Sequence, residues 1–341
     1  MTSPKEAVRV AIAGASSLLG KELNTWLEES NFPATDIRLL DEELVAGTLT
    51  EAGGEPAIIE TVEEDSFERV RFAFFTGSSE FSKRLAAEAH RAGAVVIDLS
   101  GGLGGDASAR LWIPALDTVL APPAASVTPG EPQSLFVVPA APSDIAISIS
   151  AALAPAGLER LIVTVLQPVS EYGPNAIEEL ESQVVKLLSF QPVPQIVFDT
   201  QVGFNMLSSY GPESGIKLAA ARQRIASESR RYLDGRAPMP AIMLVQAPVF
   251  YSHTFTAYAE FNAAPELDDL AARLHGAGLK VARAKDEPPT NVNVVGDTRP
   301  VLRQPERDPS IETGVWLWGA ADNLRVPAAT AVAIAEKLLA S

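Results

Sequence analysis

The sequence predicts an α/β protein of two domains, a doubly wound parallel sheet followed by an α+β domain. Across the first third, short apolar runs such as VRVAIA, RFAFFT and AVVIDLS alternate with helical stretches such as KELNTWLEES and FSKRLAAEAHRAG. Strands that alternate with helices of this length favour a parallel sheet with both faces covered. The later part contains the apolar runs LIVTVL, AIMLVQAPVF, HTFTAYAEF, NVNVVG and GVWLWG, with three amphipathic helical patterns between them.

The first predicted strand leads into GASSLLG, residues 14–20, and a predicted helix follows. Gly14 permits a tight strand-to-helix turn, Gly20 permits close packing of the helix, and the free N–H groups at the helix start favour a pyrophosphate. Ser17 stands where a middle glycine is expected. A turn that needs small residues only for packing would give the same pattern, so both interpretations stay open.

The second predicted strand, DIRLL, ends at Asp41, Glu42 and Glu43. A carboxylate at this place accepts a hydrogen bond from the ribose 2′-hydroxyl of a dinucleotide and repels a 2′-phosphate. The acidic residues therefore favour NAD over NADP as the cofactor. Acidic residues at a strand end are also commonly solvated turn residues, which is the alternative.

The segment APPAASVTPGEPQS, residues 121–134, is rich in Pro, Ser and Ala and predicts a long surface connection between the domains. After the second set of strands, residues 329–340 predict a last amphipathic helix, which could pack on either domain.

Composition excludes several classes of function. The 341 residues carry a formal net charge of −16, which argues against nucleic acid as a partner. The chain contains no cysteine, so it has no disulfide, no thiolate metal ligand and no thiol nucleophile, and we predict no metal site. The first apolar run is too short for a signal sequence or a membrane span, so we expect a cytoplasmic protein that does not enter membranes.

Four segments resemble, in the same order, those of the aspartate-semialdehyde dehydrogenase family: AGASSLLGKEL, GAVVIDLS, LQPVSEYGPNAIEELESQ and WGAADNLRVPAATAVAIAE. The resemblance implies a Rossmann-type dinucleotide-binding domain made from residues 1–134 and 322–341, and an α+β catalytic and dimerisation domain, residues 135–321, that forms a homodimer. It also implies the family reaction, in which aspartyl phosphate is reduced to the semialdehyde for amino-acid biosynthesis. That reaction needs a thiolate, a histidine acid/base and a nicotinamide.

The thiolate is missing. In VVPAAPSDIAISISAAL, the position that matches the family cysteine falls on Pro142 or its neighbour Ala141. Ser143 is the nearest hydroxyl in the substrate cleft that the resemblance implies, but a Ser-Asp pair before an apolar helical run predicts a helix N-cap rather than a nucleophile. We therefore expect a catalytically degenerate protein.

Other family positions are retained or replaced. The resemblance assigns the acid/base to His253 and matches Gln167 and Lys217, whereas Gln246 stands at the arginine that clamps the substrate carboxylate. Gly104 stands at the arginine that holds the phosphate, with Arg110 as a nearby replacement. Without a thiol to serve, His253 could instead be a hydrogen-bonded strand residue. The resemblance assigns cofactor contacts to Gly14, Ser16, Ser17, Leu18, Leu19, Asp41, Gly77 and Asn323.

Three hypotheses follow. The first is a non-catalytic paralogue that keeps the fold and the homodimer, and either binds NAD or another small molecule or pairs with an active homologue as a structural or regulatory partner. The second is an NAD(P)-dependent oxidoreductase that uses His253 on a substrate, such as an alcohol/aldehyde pair, that needs no thioester. The third, a true semialdehyde dehydrogenase with an unlocated nucleophile, is weakened by the absence of cysteine.

Overall fold

The computed structural model describes residues 8–42, 47, 49–52, 55–124, 133–283 and 285–340. Two compact units divide these residues. The first unit takes its residues from Met1–Pro114, Pro122–Ala140 and Pro327–Ser341, and the second from Ala115–Ala121 and Ala141–Val326. Glu43 and residues 125–132 of the predicted connection lie outside the described residues.

The first unit is built on a seven-stranded, wholly parallel sheet. The strands of the unit are β1 Val8–Ala13, β2 Ala34–Asp41, β3 Leu49–Ala52, β4 Glu55–Ile58, β5 Glu60–Thr61, β6 Phe72–Phe75, β7 Val95–Asp98, β8 Arg110–Leu111 and β9 Leu135–Val137, and its helices are α1 Leu18–Glu29 and α2 Ser79–Arg91. The strand order of the parallel sheet is β5-β2-β1-β6-β7-β9-β8, while β3 and β4 form a separate hairpin. Helix α1 and the carboxyl-terminal helix supply Leu23, Leu27, Ala331 and Ile334 to the buried core, and α2 packs on β6 and β7.

The second unit contains a mixed seven-stranded sheet. Its strands are β10 Leu158–Gln167, β11 Ala241–Gln246, β12 His253–Phe261, β13 Lys280–Val281, β14 Val301–Leu302, β15 Glu306–Arg307 and β16 Gly314–Ala321. The strand order is β11-β10-β12-β16-β14-β13, with β15 paired to β16. Its helices are α3 Asp117–Leu120, α4 Ala141–Leu153, α5 Pro174–Leu188, α6 Leu218–Leu233 and α7 Leu267–Gly276. The predicted fold class, a parallel-sheet domain and an α+β domain, is confirmed.

The last helix, α8 Arg325–Ala340, begins four residues before the predicted 329. The carboxylate of Asp322 accepts hydrogen bonds from the N–H groups of Leu324 and Arg325, which caps the helix, and Pro327 is tolerated in the first turn. Residues of α8 from Ala328 onward belong to the core of the first unit. This answers the question, left open by the sequence, of which unit the helix completes.

One predicted strand is wrong. Residues 291–296, NVNVVG, form turns. The side chains of Thr290 and Asn293 accept hydrogen bonds from nearby backbone N–H groups, and the Asn293 amide donates to the carbonyl of Pro288. Such local side-chain bonds compete with strand pairing, and here they outweigh the alternation of valines.

Candidate functional site

Two places carry the residues that the sequence singled out, one in each unit. In the first unit, the β1–α1 loop turns at Gly14, which has φ +95°. A Cβ at Gly14 would lie 2.2 Å from the backbone nitrogen of Gly77, and a Cβ at Gly20 would lie 2.4 Å from the carbonyl oxygen of Gly14. Only glycine fits at either position, so the loop and the start of α1 form a tight cradle.

Ser17 is the N-cap of α1. Its hydroxyl accepts a hydrogen bond from the N–H of Gly20 at 2.9 Å and donates to the carbonyl of Thr76 at 3.0 Å. The Ser17 hydroxyl is therefore used by the fold. In the described part of the chain, the N–H groups of Leu18 and Leu19 have no hydrogen-bond acceptor, so the helix start offers two free donors.

Asp41 closes one side of the cradle. One carboxylate oxygen accepts a hydrogen bond from the N–H of Ser16 at 2.8 Å, and the other accepts from the N–H of Glu42 at 2.9 Å. The side chain is therefore held at the loop with its negative charge. A surface pocket of about 630 Å³ adjoins it, lined among others by Asp41, Glu42, Glu63, Glu64, Arg84 and Glu88.

In the second unit, His253 opens β12 and is completely buried. Its Nε2 lies 3.2 Å from Oε1 of Glu171, a contact close enough for an ion pair but without the alignment of a directed hydrogen bond. The other ring nitrogen, Nδ1, has no hydrogen-bond partner among the described residues. His253 is thus a buried ring with one nitrogen facing a carboxylate.

Glu171 lies in a short 3-10 helix, Val169–Tyr172, and its side chain keeps 27% of its surface exposed. Desolvation raises the pKa of this carboxyl group, but the contact with His253, a 3.0 Å hydrogen bond from the amide of Asn323 and the nearby charge of Arg224 outweigh it and leave the pKa below its ordinary value. Glu171 is therefore an ionised group beside His253.

The backbone before His253 is held in an unfavourable conformation. Ser252 has φ +67°, a region that favours glycine, and its hydroxyl is buried without a partner among the described residues. Its N–H donates to Oδ1 of Asn323 at 2.9 Å, and the Asn323 amide also donates to the hydroxyl of Ser170 at 3.0 Å. Asn323, matched above to a cofactor contact, thus has its amide bonded within this unit, where it ties the backbone before His253 to Glu171.

Gln246, at the position of the arginine that holds the substrate carboxylate in the resembling family, is neutral, and its side-chain oxygen and nitrogen are both hydrogen-bonded. The amide nitrogen of Gln246 donates to the carbonyls of Gln167 and Ala247, both at 2.9 Å, and its oxygen accepts from the hydroxyl of Tyr210 at 2.7 Å. The ring of Tyr210 packs edge-on against Tyr172 at 5.7 Å. Burial raises the pKa of both tyrosines, so both hydroxyls remain protonated.

The predicted N-cap at Ser143 is wrong. Helix α4 begins at Ala141, so Ser143 lies inside the first turn, where its buried hydroxyl has no partner among the described residues. Pro142 occupies a first-turn position, where a proline fits because no helical N–H is needed. Burial, partly offset by a hydrogen bond from Ser148, raises the pKa of Asp144 to about 6.

Lys217 and Arg110, also singled out by the sequence, have contacts of their own. Lys217 directs its ammonium group to the carbonyls of Gly211 and Pro212 on the preceding loop. In the first unit, the guanidinium of Arg110 stacks on Trp112 at 4.7 Å. Within the described residues, no hydrogen bond links Lys217 or Ser143 to the group around His253.

Sequence reasoning missed Glu171, Tyr172 and Tyr210. A signal was available for Glu171, because LQPVSEYG places an acidic residue where the resembling family segment has glycine. Nothing in the sequence indicated that this residue would reach His253.

Family models, relatives in sequence and solved structures were compared with this chain. The family model "Semialdehyde dehydrogenase, NAD binding domain" matches residues 9–120, and "Semialdehyde dehydrogenase, dimerisation domain" matches residues 150–326. The chain is 28% identical to a USG-1 protein homolog of Azotobacter vinelandii, covering 98% of each chain, and 29% identical to aspartate-semialdehyde dehydrogenase 2 of Vibrio cholerae, covering 97% of each. The crystal structure of aspartate semialdehyde dehydrogenase II from Vibrio cholerae superposes with a TM-score of 0.85 at 26% identity, covering 98% of this chain and 99% of that one.

Proposed function

Because the chain belongs to the semialdehyde dehydrogenase family, we propose that it binds NAD in the β1–α1 loop of its first unit and does not carry out the thioester-based reaction. The observation that carries the second part is the absence of cysteine from all 341 residues, with Pro142 at the matched position. Loss of a covalent nucleophile typically removes several powers of ten in rate.

Several contacts support dinucleotide binding. The free N–H groups of Leu18 and Leu19 at the start of α1 suit a pyrophosphate, and the close approach of Gly14 to Gly77 leaves backbone in place of side chains at the loop. When bound, the nicotinamide would supply hydride transfer. The hydroxyl of Ser17 is bonded to Thr76 and Gly20, so it is held at the cap of α1.

The preference for NAD rests on Asp41. Its carboxylate is anchored by the N–H groups of Ser16 and Glu42, so it cannot swing away from an incoming 2′-phosphate. The neighbouring pocket adds Glu42, Glu63 and Glu64, with Arg84 as a cation that itself lies 3.6 Å from Glu42. Coulomb repulsion from these carboxylates disfavours NADP.

The loss of the family reaction extends beyond the nucleophile. The buried hydroxyl of Ser143 has no hydrogen-bond partner among the described residues, and the polar atoms of Gln246 are bonded to Gln167, Ala247 and Tyr210. No donor of Gln246 is left for a substrate carboxylate, and a neutral amide would hold one weakly in any case.

A second candidate is an NAD-dependent oxidoreductase whose substrate needs no thioester. The observation that favours it is the strained backbone before His253: Ser252 keeps φ +67°, and the side chain of Asn323 bonds both the N–H of Ser252 and the carboxylate of Glu171. Strain of this kind persists where the surrounding structure fixes it, and it clusters at functional sites. In this reading His253 exchanges the proton that accompanies hydride transfer.

A homodimer is the proposed assembly. One face of the second-unit sheet packs inward, while the other exposes Ile162, Met243, Trp316 and Trp318, each 39–43% accessible. Large apolar side chains clustered on one sheet face mark an interface. Sedimentation should give a dimer for the wild type and a monomer for Trp316→Asp, whereas Ile58→Asp, an exposed apolar residue of the first unit, should stay dimeric.

The central test assays the purified protein with aspartate semialdehyde, phosphate and either NAD or NADP, beside the Vibrio cholerae aspartate-semialdehyde dehydrogenase 2. We expect no turnover, and none after Pro142→Cys alone, because Gln246 and Gly104 remain unable to hold the substrate. Turnover by the wild type comparable to that of the Vibrio enzyme would overturn the proposal.

A further inference from the structure

The contact between Glu171 and His253 has a chemical consequence for the second unit. A carboxylate oxygen accepts hydrogen bonds and cannot donate, so it is repelled by the lone pair of a bare ring nitrogen and attracted by an N–H. Oε1 of Glu171 lies 3.2 Å from Nε2 without the alignment of a directed hydrogen bond, and at this distance its charge favours the proton of a neutral His253 ring on Nε2.

Glu171 is itself fixed in place. The amide of Asn323 donates to the same Oε1 at 3.0 Å, and Asn323 is in turn held by the N–H of Ser252 and by Ser170. The Asn323 bond to the backbone before His253 ties the carboxylate and the ring into one network. The carboxylate of Glu171 and the ring of His253 are therefore held in a fixed orientation to each other.

We propose that Glu171 is a positioning residue that fixes His253 as the Nε2–H tautomer, so that Nδ1 becomes the hydrogen-bond acceptor of this site. Nδ1 is fully buried and has no partner in the described part of the chain, which is the state of an acceptor awaiting a donor. An acceptor nitrogen pairs with a hydroxyl or an amine N–H rather than with a carboxylate.

The charges nearby agree with this ligand class. Glu171 adds a negative charge where the resembling segment has glycine, and Gln246 replaces a cation by a neutral amide. Arg224, the nearby cation that acts on Glu171, bonds to Glu228 at 2.7 Å. A catalytic role for this arrangement rests on the second candidate function, the NAD-dependent oxidoreductase. The tautomer of His253 does not, because it requires neither bound cofactor nor a reaction.

The test is ¹⁵N NMR of the histidine ring. His90 and His275 are exposed, so His90→Gln with His275→Gln leaves His253 as the single histidine of the chain. In alkaline buffer, where imidazoles are neutral, we expect a pyrrole-type signal for Nε2 and a pyridine-type signal for Nδ1. Intermediate signals, the average of two tautomers, would overturn the proposal in this single-histidine protein, in which Glu171 is unchanged.

Variants then assign the effect to Glu171. Glu171→Gln keeps an acceptor oxygen for Nε2 and for Asn323, so we expect the tautomer to be retained. Glu171→Ala should give averaged signals, while Glu178→Ala, an exposed residue of α5, should leave them unchanged. An unchanged tautomer in a folded Glu171→Ala protein would refute the role. Because the NMR measurement uses no cofactor, its result is independent of whether the protein binds NAD, and the two proposals can fail separately.

Discussion

The substitution Gly14→Ala tests how far the β1–α1 loop depends on the absence of a side chain. At φ +95° an alanine is strained by about 1–2 kcal/mol. Its Cβ would also lie 2.2 Å from the nitrogen and 2.4 Å from the Cα of Gly77, so the loop and the end of β6 must separate. Overpacking of this kind costs about 1–3 kcal/mol, which brings the expected loss in free energy of unfolding to about 2–5 kcal/mol.

Gly93→Ala is the matched control. Gly93 has φ +88°, but a Cβ added there would meet nothing within 4 Å, so only the backbone strain of about 1–2 kcal/mol applies. Urea denaturation followed by circular dichroism measures the free energy of unfolding of both variants. We also expect NAD affinity to fall at least tenfold in Gly14→Ala and to be retained in Gly93→Ala. Equal losses of stability within about 0.5 kcal/mol would refute the steric reasoning.

Three further predictions concern single side chains. Burial raises the pKa of Asp144 from 3.8 to about 6, so the native state binds the proton more tightly and stability falls as pH rises between these values. Asp144→Asn should therefore stabilise the protein by up to about 3 kcal/mol above pH 7, at 1.36 kcal/mol per pKa unit, with the gain shrinking toward pH 4 in urea titrations; a gain independent of pH would contradict it. Ser252→Gly removes the backbone strain at φ +67° and a buried hydroxyl that has no partner among the described residues. After the entropic cost of glycine is subtracted, we expect the free energy of unfolding to rise by up to about 1 kcal/mol, and a destabilised variant would contradict this. Ser17→Ala removes the cap of α1 and should cost about 1 kcal/mol, whereas Ser17→Gly should cost only a few tenths; equal costs would show that the hydroxyl does not cap the helix.

The fold was predictable because its local signals agree with its packing. The alternation of buried strands such as VRVAIA with amphipathic helices leaves few arrangements other than a parallel sheet, and Gly14 and Gly20 mark a turn that only glycine can make. The predicted strand at 291–296 failed because Thr290 and Asn293 bond their own backbone, which the valine pattern hides.

The site was predictable only in part. Family matching located His253, Gln167 and Gln246, but what these residues do depends on neighbours distant in sequence. Glu171 and His253 are brought together by the pairing of β10 with β12, and Asn323, just after β16, bonds Glu171 and the N–H of Ser252. Such long-range contacts leave no local pattern. The Ser143 cap failed because the helix begins at Ala141, three residues before the start at Asp144 that the Ser-Asp pair suggests.

Calorimetric titration of the purified protein with NAD and, separately, with NADP measures whether the β1–α1 loop binds a dinucleotide and which one it prefers. The free N–H groups of Leu18 and Leu19 and the anchored carboxylate of Asp41 predict saturable binding of NAD at least tenfold tighter than that of NADP. Absence of binding by either dinucleotide, or tighter binding of NADP, would contradict the account.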